Sequence, residues 1–315
     1  MQNDQTVLGT IEPDVAERLV TRREAIRKGA AVSTVAAAGL AMASVPVALA
    51  ALSRDAFAQA QPSVTDVLNF ALILEIFENE FYKAVLGTSS SATQNAAFGP
   101  VRGQVPASAL PALQLIQRHE AAHVAFLLAN GATNGLNLNA DSFDFTGARG
   151  AGNGPFARAT TELAFLLAVA QGAEDTGVRA YKGQAANLMS NDAVLEAALR
   201  IHSVEARHAA KIRRLRRATG APDVVKFSGT VAGGGAAAAG AGNIDPAPPA
   251  GAVSAFDAIY EDEENTTHAG VNVAQLSNLP AGIDAAAAAS EAFDEPLTKD
   301  QVRAIVQPFF IPTIP

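Results

Sequence analysis

Four long stretches of the chain place apolar side chains at helical spacing, and each is bracketed by residues that start or stop helices. The first opens on Ser63-Val64-Thr65-Asp66, the spacing of a capping box, and closes on Gly87. It predicts a helix from Ser63 to Leu86 with Leu68, Ala71, Leu72, Glu75 and Tyr82 along one stripe. The second runs from Ala109 to Asn130 with Leu113, Ile116, Leu127 and Leu128 in phase. The third is apolar from Pro155, a residue suited to a first helical turn, to about Met189. Gly172, Gly177 and Gly183 interrupt it, each at a cost of about 1 kcal/mol in helix propensity, so this segment either meets another element closely or bends. The fourth, Asp192 to Thr219, aligns Ala198, Ile201, Glu205, His208, Ile212 and Leu215 ahead of Gly220 and Pro222.

The connections have a different texture. Residues 87–108 and 131–154 are rich in Ser, Gly, Asn and Pro and predict loops, the second of them a long crossover between the second and third helices. From Gly229 to Gly251 the chain is Gly, Ala and Pro with almost no charge, which predicts a linker. Beyond it lie the acidic cluster Glu261-Asp262-Glu263-Glu264, an Ala run at 285–289 and a short helix announced by Thr298 with Gln301. This extension is expected to be irregular and to rest on the bundle through Phe309, Phe310 and Ile311. Because the linker severs few core contacts, deleting residues 229–315 is expected to leave a folded bundle.

Composition narrows the chemistry. The absence of Cys excludes disulfides, thiolate metal sites, iron–sulfur clusters and Cys nucleophiles, so any metal must sit on His and carboxylate. The absence of Trp, 6% aromatics and abundant Ala fit close-packed helices better than a sandwich of strands, and the fold class is all-α. A net charge of −8 argues against nucleic acid as a partner. The one dense basic run, Lys211, Arg213, Arg214, Arg216 and Arg217, reads as a solvated helix end.

The first 60 residues read as an export segment. Arg22-Arg23 precede an Ala-rich apolar run from Gly29 to Leu52, and Ala58-Gln59-Ala60 offers small residues for cleavage. This resembles a twin-arginine signal, although a run of this length also suits a retained membrane anchor. Cleavage would leave residues 61–228 as the bundle, 229–251 as the linker and 252–315 as the extension, outside the cytoplasm in the periplasm or medium and with no hold on a membrane.

The candidate chemistry lies in the four helices. Glu120 with His123 and Glu205 with His208 each show the spacing Glu-x-x-His, which puts both side chains on one helix face. With 16 Glu and 5 His in 315 residues, chance would supply such a pair less than once. The other two helices each present a Glu followed seven residues later by Tyr, Glu75 with Tyr82 and Glu174 with Tyr181. The likeness extends to Ala71 and Ala170, to Lys83 and Lys182, and to Ala121 and Ala206, so the chain contains a duplicated helix pair. These carboxylates fall on apolar stripes, where a buried charge needs a partner. Four carboxylates and two imidazoles form a ligand set for two divalent metals.

With these residues the chain resembles the ferritin-like di-metal carboxylate superfamily over about residues 63–218. The phrases Leu68-Asn69-Phe70-Ala71-Leu72, Glu174-Asp175-Thr176-Gly177-Val178 and Phe293-Asp294-Glu295-Pro296-Leu297-Thr298 resemble its exported bacterial branch related to desiccation-related proteins. The resemblance implies a ferritin-like four-helix bundle whose Glu120 and Glu205 bridge two metal ions, iron or manganese. It implies further that Glu75 and Glu174 are terminal carboxylates, that His123 and His208 hold one ion each, and that Tyr82 and Tyr181 hydrogen-bond the ligating groups. His202 is expected to support the site or pack in the core, Glu78, one turn after Glu75, to lie at the rim rather than serve as an extra ligand, and His119 to point away. Glu162 lies too far along its helix, and His268 with the 261–264 cluster reads as solvated loop. Dioxygen or hydrogen peroxide is the implied reactant, in an oxidase-like or catalase-like enzyme. A non-catalytic desiccation or stress protein that sequesters metal is the alternative, and association into a homo-oligomer stays open.

Overall fold

The computed structural model describes residues 62–219, 256–263, 265–276 and 285–315. The expected export segment and the 229–251 linker lie outside the described residues. Four long helices carry the fold: α1 (Val64–Leu86), α4 (Leu110–Ala129), α5 (Leu163–Gln184) and α6 (Asp192–Ala218). Two short ones, α2 (Ala92–Ala97) and α3 (Gly99–Arg102), occupy the first connection, where only loop was expected. The extension adds α7 (Ala285–Glu291), α8 (Lys299–Val306) and a two-residue hairpin of β1 (Thr267–His268) and β2 (Val271–Asn272).

The caps act as the spacing predicted. Ser63 and Asp66 bond each other's backbone at the head of α1, and Gly87 closes it at φ 77°, where a side chain would be strained. Thr298 and Gln301 repeat the box on α8. The third helix begins later than expected. Pro155 leads into a 3₁₀ turn at Ala157–Thr160, and the α-helix opens only after Glu162 adopts extended backbone. It also ends at Gln184, with Ala185–Leu188 in a further 3₁₀ turn.

α1 packs chiefly on α4 and α5 on α6, giving two helix pairs that enclose the core. The helices are not alike. α4 and α6 bury one face, whereas α1 is buried without interruption from Leu72 to Tyr82, and most of α5 is buried all round. A helix buried on every side needs cover on the face that its bundle partners do not reach. The crossover and the extension provide it. The ring of Phe77 on α1 meets Phe143 and Phe145 of the crossover at 5.9 Å each, and Phe309 and Phe310 of the extension at 5.3 and 5.6 Å. Those two segments pair through an antiparallel bridge between Phe143 and Phe310. The Asp144 amide donates to the Phe309 carbonyl at 2.8 Å, and that of Ile311 to Ser142 at 3.0 Å. The Asp144 carboxylate holds the crossover's turn by accepting amides of Thr146, Gly150 and Gly152. Burial raises its pKa, but the Thr146 hydroxyl and these amides outweigh burial and keep it low.

The extension is therefore no separable tail. Phe256, Ile259, Tyr260, Leu297, Val302, Phe310 and Ile314 are buried in the same core cluster as the helices. Arg179 of α5, 1% exposed, donates to the carbonyls of Ile259, Glu261 and Glu295 and pairs with Glu263 at 3.1 Å. Gly172 and Gly183 of α5 admit this segment: a Cβ would lie 2.9 Å from Ile259 at the first and 1.9 Å from the Leu297 carbonyl at the second. Close approach, not bending, explains these glycines. The basic run at 211–217 is also only partly solvated. Arg213 pairs with Asp175 at 2.8 Å, and buried Arg216 donates to Gln171, beside the Tyr260 hydroxyl that donates to Asp175.

Replacing Arg179 with Met would take the guanidinium away from buried Glu263 and remove the donor that three carbonyls share. Loss of one partner from a buried ion pair costs about 3–5 kcal/mol. Urea unfolding should show a loss of that size, and a change under about 1 kcal/mol would mean that the clamp does not hold the extension. A chain ending at residue 228 should unfold more readily still, by circular dichroism, because it uncovers Phe77.

Candidate metal centre

The duplicated motif brings Glu75, Glu120, His123, Glu174, Glu205 and His208 into one buried cluster between the helix pairs. Their ligand-type atoms fall into two groups, each spanning no more than 4.8 Å and each able to hold a metal ion. Glu75, Glu120, His123 and Glu205 form the first; Glu120, Glu174, Glu205 and His208 form the second. Glu120 and Glu205 belong to both. His123 Nδ1 lies 3.0 Å from Glu75 and 3.2 Å from each of Glu120 and Glu205. His208 Nδ1 lies 2.8 Å from Glu120 and 3.2 Å from Glu174.

Short distances here do not mean satisfied groups. Glu120 Oε1, Glu174 Oε2, both Glu205 oxygens and His208 Nδ1 are buried without a hydrogen-bond partner. A buried polar atom left so costs about 1–3 kcal/mol, and more when charged. The contacts that His123 makes with Glu75 and Glu120 leave these other atoms unsatisfied, and the oxygen and imidazole character of the two groups suits iron or manganese. The residues fit a metal.

The electrostatics of the bare protein show what a cation would relieve. Burial pushes the Glu75 carboxyl up to about 8, against the pull of His123. Burial likewise drives Glu174 well above the carboxylate range despite His208. Burial opposes charge on His123 and His208, but the close carboxylates of Glu120, Glu205 and Glu75 around the first, and of Glu120, Glu174 and Glu205 around the second, favour the protonated rings and raise both to about 12. Glu205 lies between them; burial raises it, and the two imidazoles overcome burial and bring it to about 2.

The tyrosines cross over. Tyr82 donates its hydroxyl to Glu174 and Tyr181 donates to Glu75 at 2.5 Å, each to the glutamate of the other helix. Seven residues along a helix amount to about 10 Å, so neither tyrosine reaches the glutamate of its own motif. His202 accompanies none of the six: its Nδ1 sits 3.0 Å from the Val178 carbonyl, on the flank of α6 that faces α5.

Two expectations about neighbouring residues are overturned. Glu78 is not at the rim but 3% exposed, its carboxyl pushed well above the usual carboxylate range by burial and by the neighbouring Glu205 and Glu174. Gly177 makes the room, for a Cβ there would lie 3.3 Å from Glu78 Oε1 and 3.4 Å from Glu205 Oε2. The signal in the sequence was that mid-helix glycine together with the three-residue step from Glu75. His119 does not point away: its Nδ1 lies 2.9 Å from His208 Nε2. Only the crossing of α4 and α6 creates that contact, which no local spacing encodes. The 261–264 cluster is split. Glu263 is buried on Arg179 while Glu261 and Asp262 stay exposed, and His268 is buried on Phe293 with Glu295 at 3.4 Å.

A helical bundle with glutamates from all four long helices and histidines from two defines a class of carboxylate-centred helical proteins. Residues 63–218 match the ferritin-like domain, and this part of the chain belongs to the ferritin-like superfamily. Comparison with curated proteins and with solved structures gave no match. Among the described residues no helix is long and apolar enough to cross a membrane.

The titrations set the pH response of the metal-free protein. Glu75 and His123 hold protons to about 8 and 12, above their ordinary values of 4.5 and 6.5. Between pH 6.5 and 8 the native state binds more protons than the unfolded chain, so stability falls as pH rises. The apo melting temperature should be lower at pH 8.5 than at pH 6.5. A flat or rising profile would contradict the assigned protonation.

Proposed function

We propose that the protein binds a pair of iron or manganese ions and uses them on dioxygen or hydrogen peroxide, in protection against oxidative or drying stress. The observation that carries this reading is the sharing of Glu120 and Glu205 between two four-residue groups, which suits carboxylates bridging two ions. Such a pair supplies redox cycling at open coordination positions. Peroxide disproportionation is the favoured reaction, because it needs no outside electron donor and the chain has no Cys for an iron–sulfur or rubredoxin-type donor.

The chain's own residues have definable tasks in that scheme. Tyr82 and Tyr181 fix the orientation of Glu174 and Glu75 through their hydroxyls. Glu120 and Glu205 offer charge to both positions, and His123 and His208 supply one imidazole each. Export completes the reading, supported by Arg22-Arg23, the Gly29–Leu52 run and Ala58-Gln59-Ala60. A folded, metal-loaded bundle would then act outside the cytoplasm.

Reconstitution with iron(II) or manganese(II), followed by metal analysis and a peroxide-decay assay, tests the proposal. About two ions per chain are expected, and the double variant Glu120→Ala, Glu205→Ala should lose both. Less than one equivalent in the wild type, or retention in the double variant, refutes the metal pair. Full loading without peroxide decay returns the protein to a metal-sequestering role.

The double variant Tyr82→Phe, Tyr181→Phe keeps both rings and removes only the hydroxyls. Loss of such outer hydrogen bonds costs about 10-fold or more in metal affinity or turnover. Unchanged affinity and turnover would reduce both tyrosines to packing.

A further inference from the structure

The two sides of the cluster are enclosed unequally. On the His208 side the His119 ring lies against the His208 ring, with centroids 5.1 Å apart and planes 16° from parallel. The duplication aligns His119 with Val204, so the His123 side has no such imidazole. There α4 and α6 stand apart over a cleft of about 400 Å³, where Ala122, His123 and Phe126 face Ala197, Ile201 and Val204. His123 turns Nδ1 inward to the carboxylates and lines the cleft with the rest of its ring. At 9% it is also the most exposed of the six; the other five range from 0 to 4%.

We propose that this cleft is the route by which small inorganic ligands, anions and peroxide-sized molecules, reach the centre, while His119 closes the opposite side. The inference rests on the metal reading above and assigns it a direction. Three features carry it. The cleft opens between α4 and α6 with Ala122, Ala193 and Ala197 leaving room between the larger Phe126 and Ile201 and Arg200 among its lining, the floor is a candidate ligand in contact with solvent, and the corresponding approach past His208 is occupied by a second ring held 2.9 Å from Nε2. The groups of the first set would therefore meet an incoming ligand before those of the second.

The test uses iron-loaded protein with azide as the probe, following the azide-to-iron charge-transfer band by stopped flow and measuring iron content in the same samples. Ala197→Trp fills the cleft from a half-exposed position and should slow azide binding at least 10-fold with iron content unchanged. Val204→Phe gives a second, smaller obstruction of the same passage and should slow it in the same direction. Leu115→Trp, one turn before His119 on an exposed face, should leave the rate as in wild type. Equal rates in wild type, Ala197→Trp and Val204→Phe would overturn the route, as would slowing by Leu115→Trp alone. A wild-type rate that falls with protein concentration, alongside a dimer in sedimentation, would assign the cleft to a second copy and likewise overturn it. Failure of the wild type to retain iron would instead fell the metal reading on which the route depends.

Discussion

Glu75, Glu78, Glu120, Glu174 and Glu205 crowd one buried cluster, and two imidazoles cannot neutralise five carboxylates. That deficit organises the structure. Without a further cation the cluster stores protons, on Glu75 to about pH 8 and on both histidines to about pH 12. Left free to relax, such side chains would turn to water. They stay because tyrosines from the opposite helices hold Glu75 and Glu174, and because α1 and α5 are buried on every side. A metal pair would replace stored protons with fixed charge, which is why affinity for it should rise with pH as those protons leave.

The demand for cover on α1 and α5 gives the crossover and the extension their purpose. Phe143 and Phe145 reach Phe77 from one direction, Phe309 and Phe310 from the other, and the two segments join edge to edge. Arg179 serves the same end from within α5, offering one guanidinium to three carbonyls of a segment remote in sequence. The glycines of α5 divide the work: Gly172 and Gly183 admit the extension, and Gly177 admits the carboxylates of Glu78 and Glu205.

Much of this was legible in the sequence because it is local. Capping boxes, the stop at Gly87 and the three-residue step between Glu and His are all set within two turns of helix, so Ser63, Thr298 and the six clustered side chains could be read directly. The start of α5 lies beyond the expected position because Pro155 suits the approach to a 3₁₀ turn as well as an α-helix. What depended on packing between distant segments was hidden. His119 meets His208 only where α4 crosses α6, Arg216 turns inward only because Gln171 awaits it, and the tyrosines exchange partners only through the pseudo-symmetry of the pairs. The docking of the extension is hidden for a related reason: a Gly/Ala linker says nothing about where the chain beyond it will dock.

The junction of Phe77 with Phe309 and Phe310 has a kinetic consequence. These partners stand at nearly opposite positions of the sequence, so the protein has contacts of high order where a simple bundle would have mostly local ones, and loop closure must precede their reward. During synthesis α1 emerges early and waits with its outer face bare until the residues around Phe309 arrive. Nascent chains should therefore remain sensitive to proteases and dependent on chaperones late into translation, then become resistant in a single step when that aromatic lid settles.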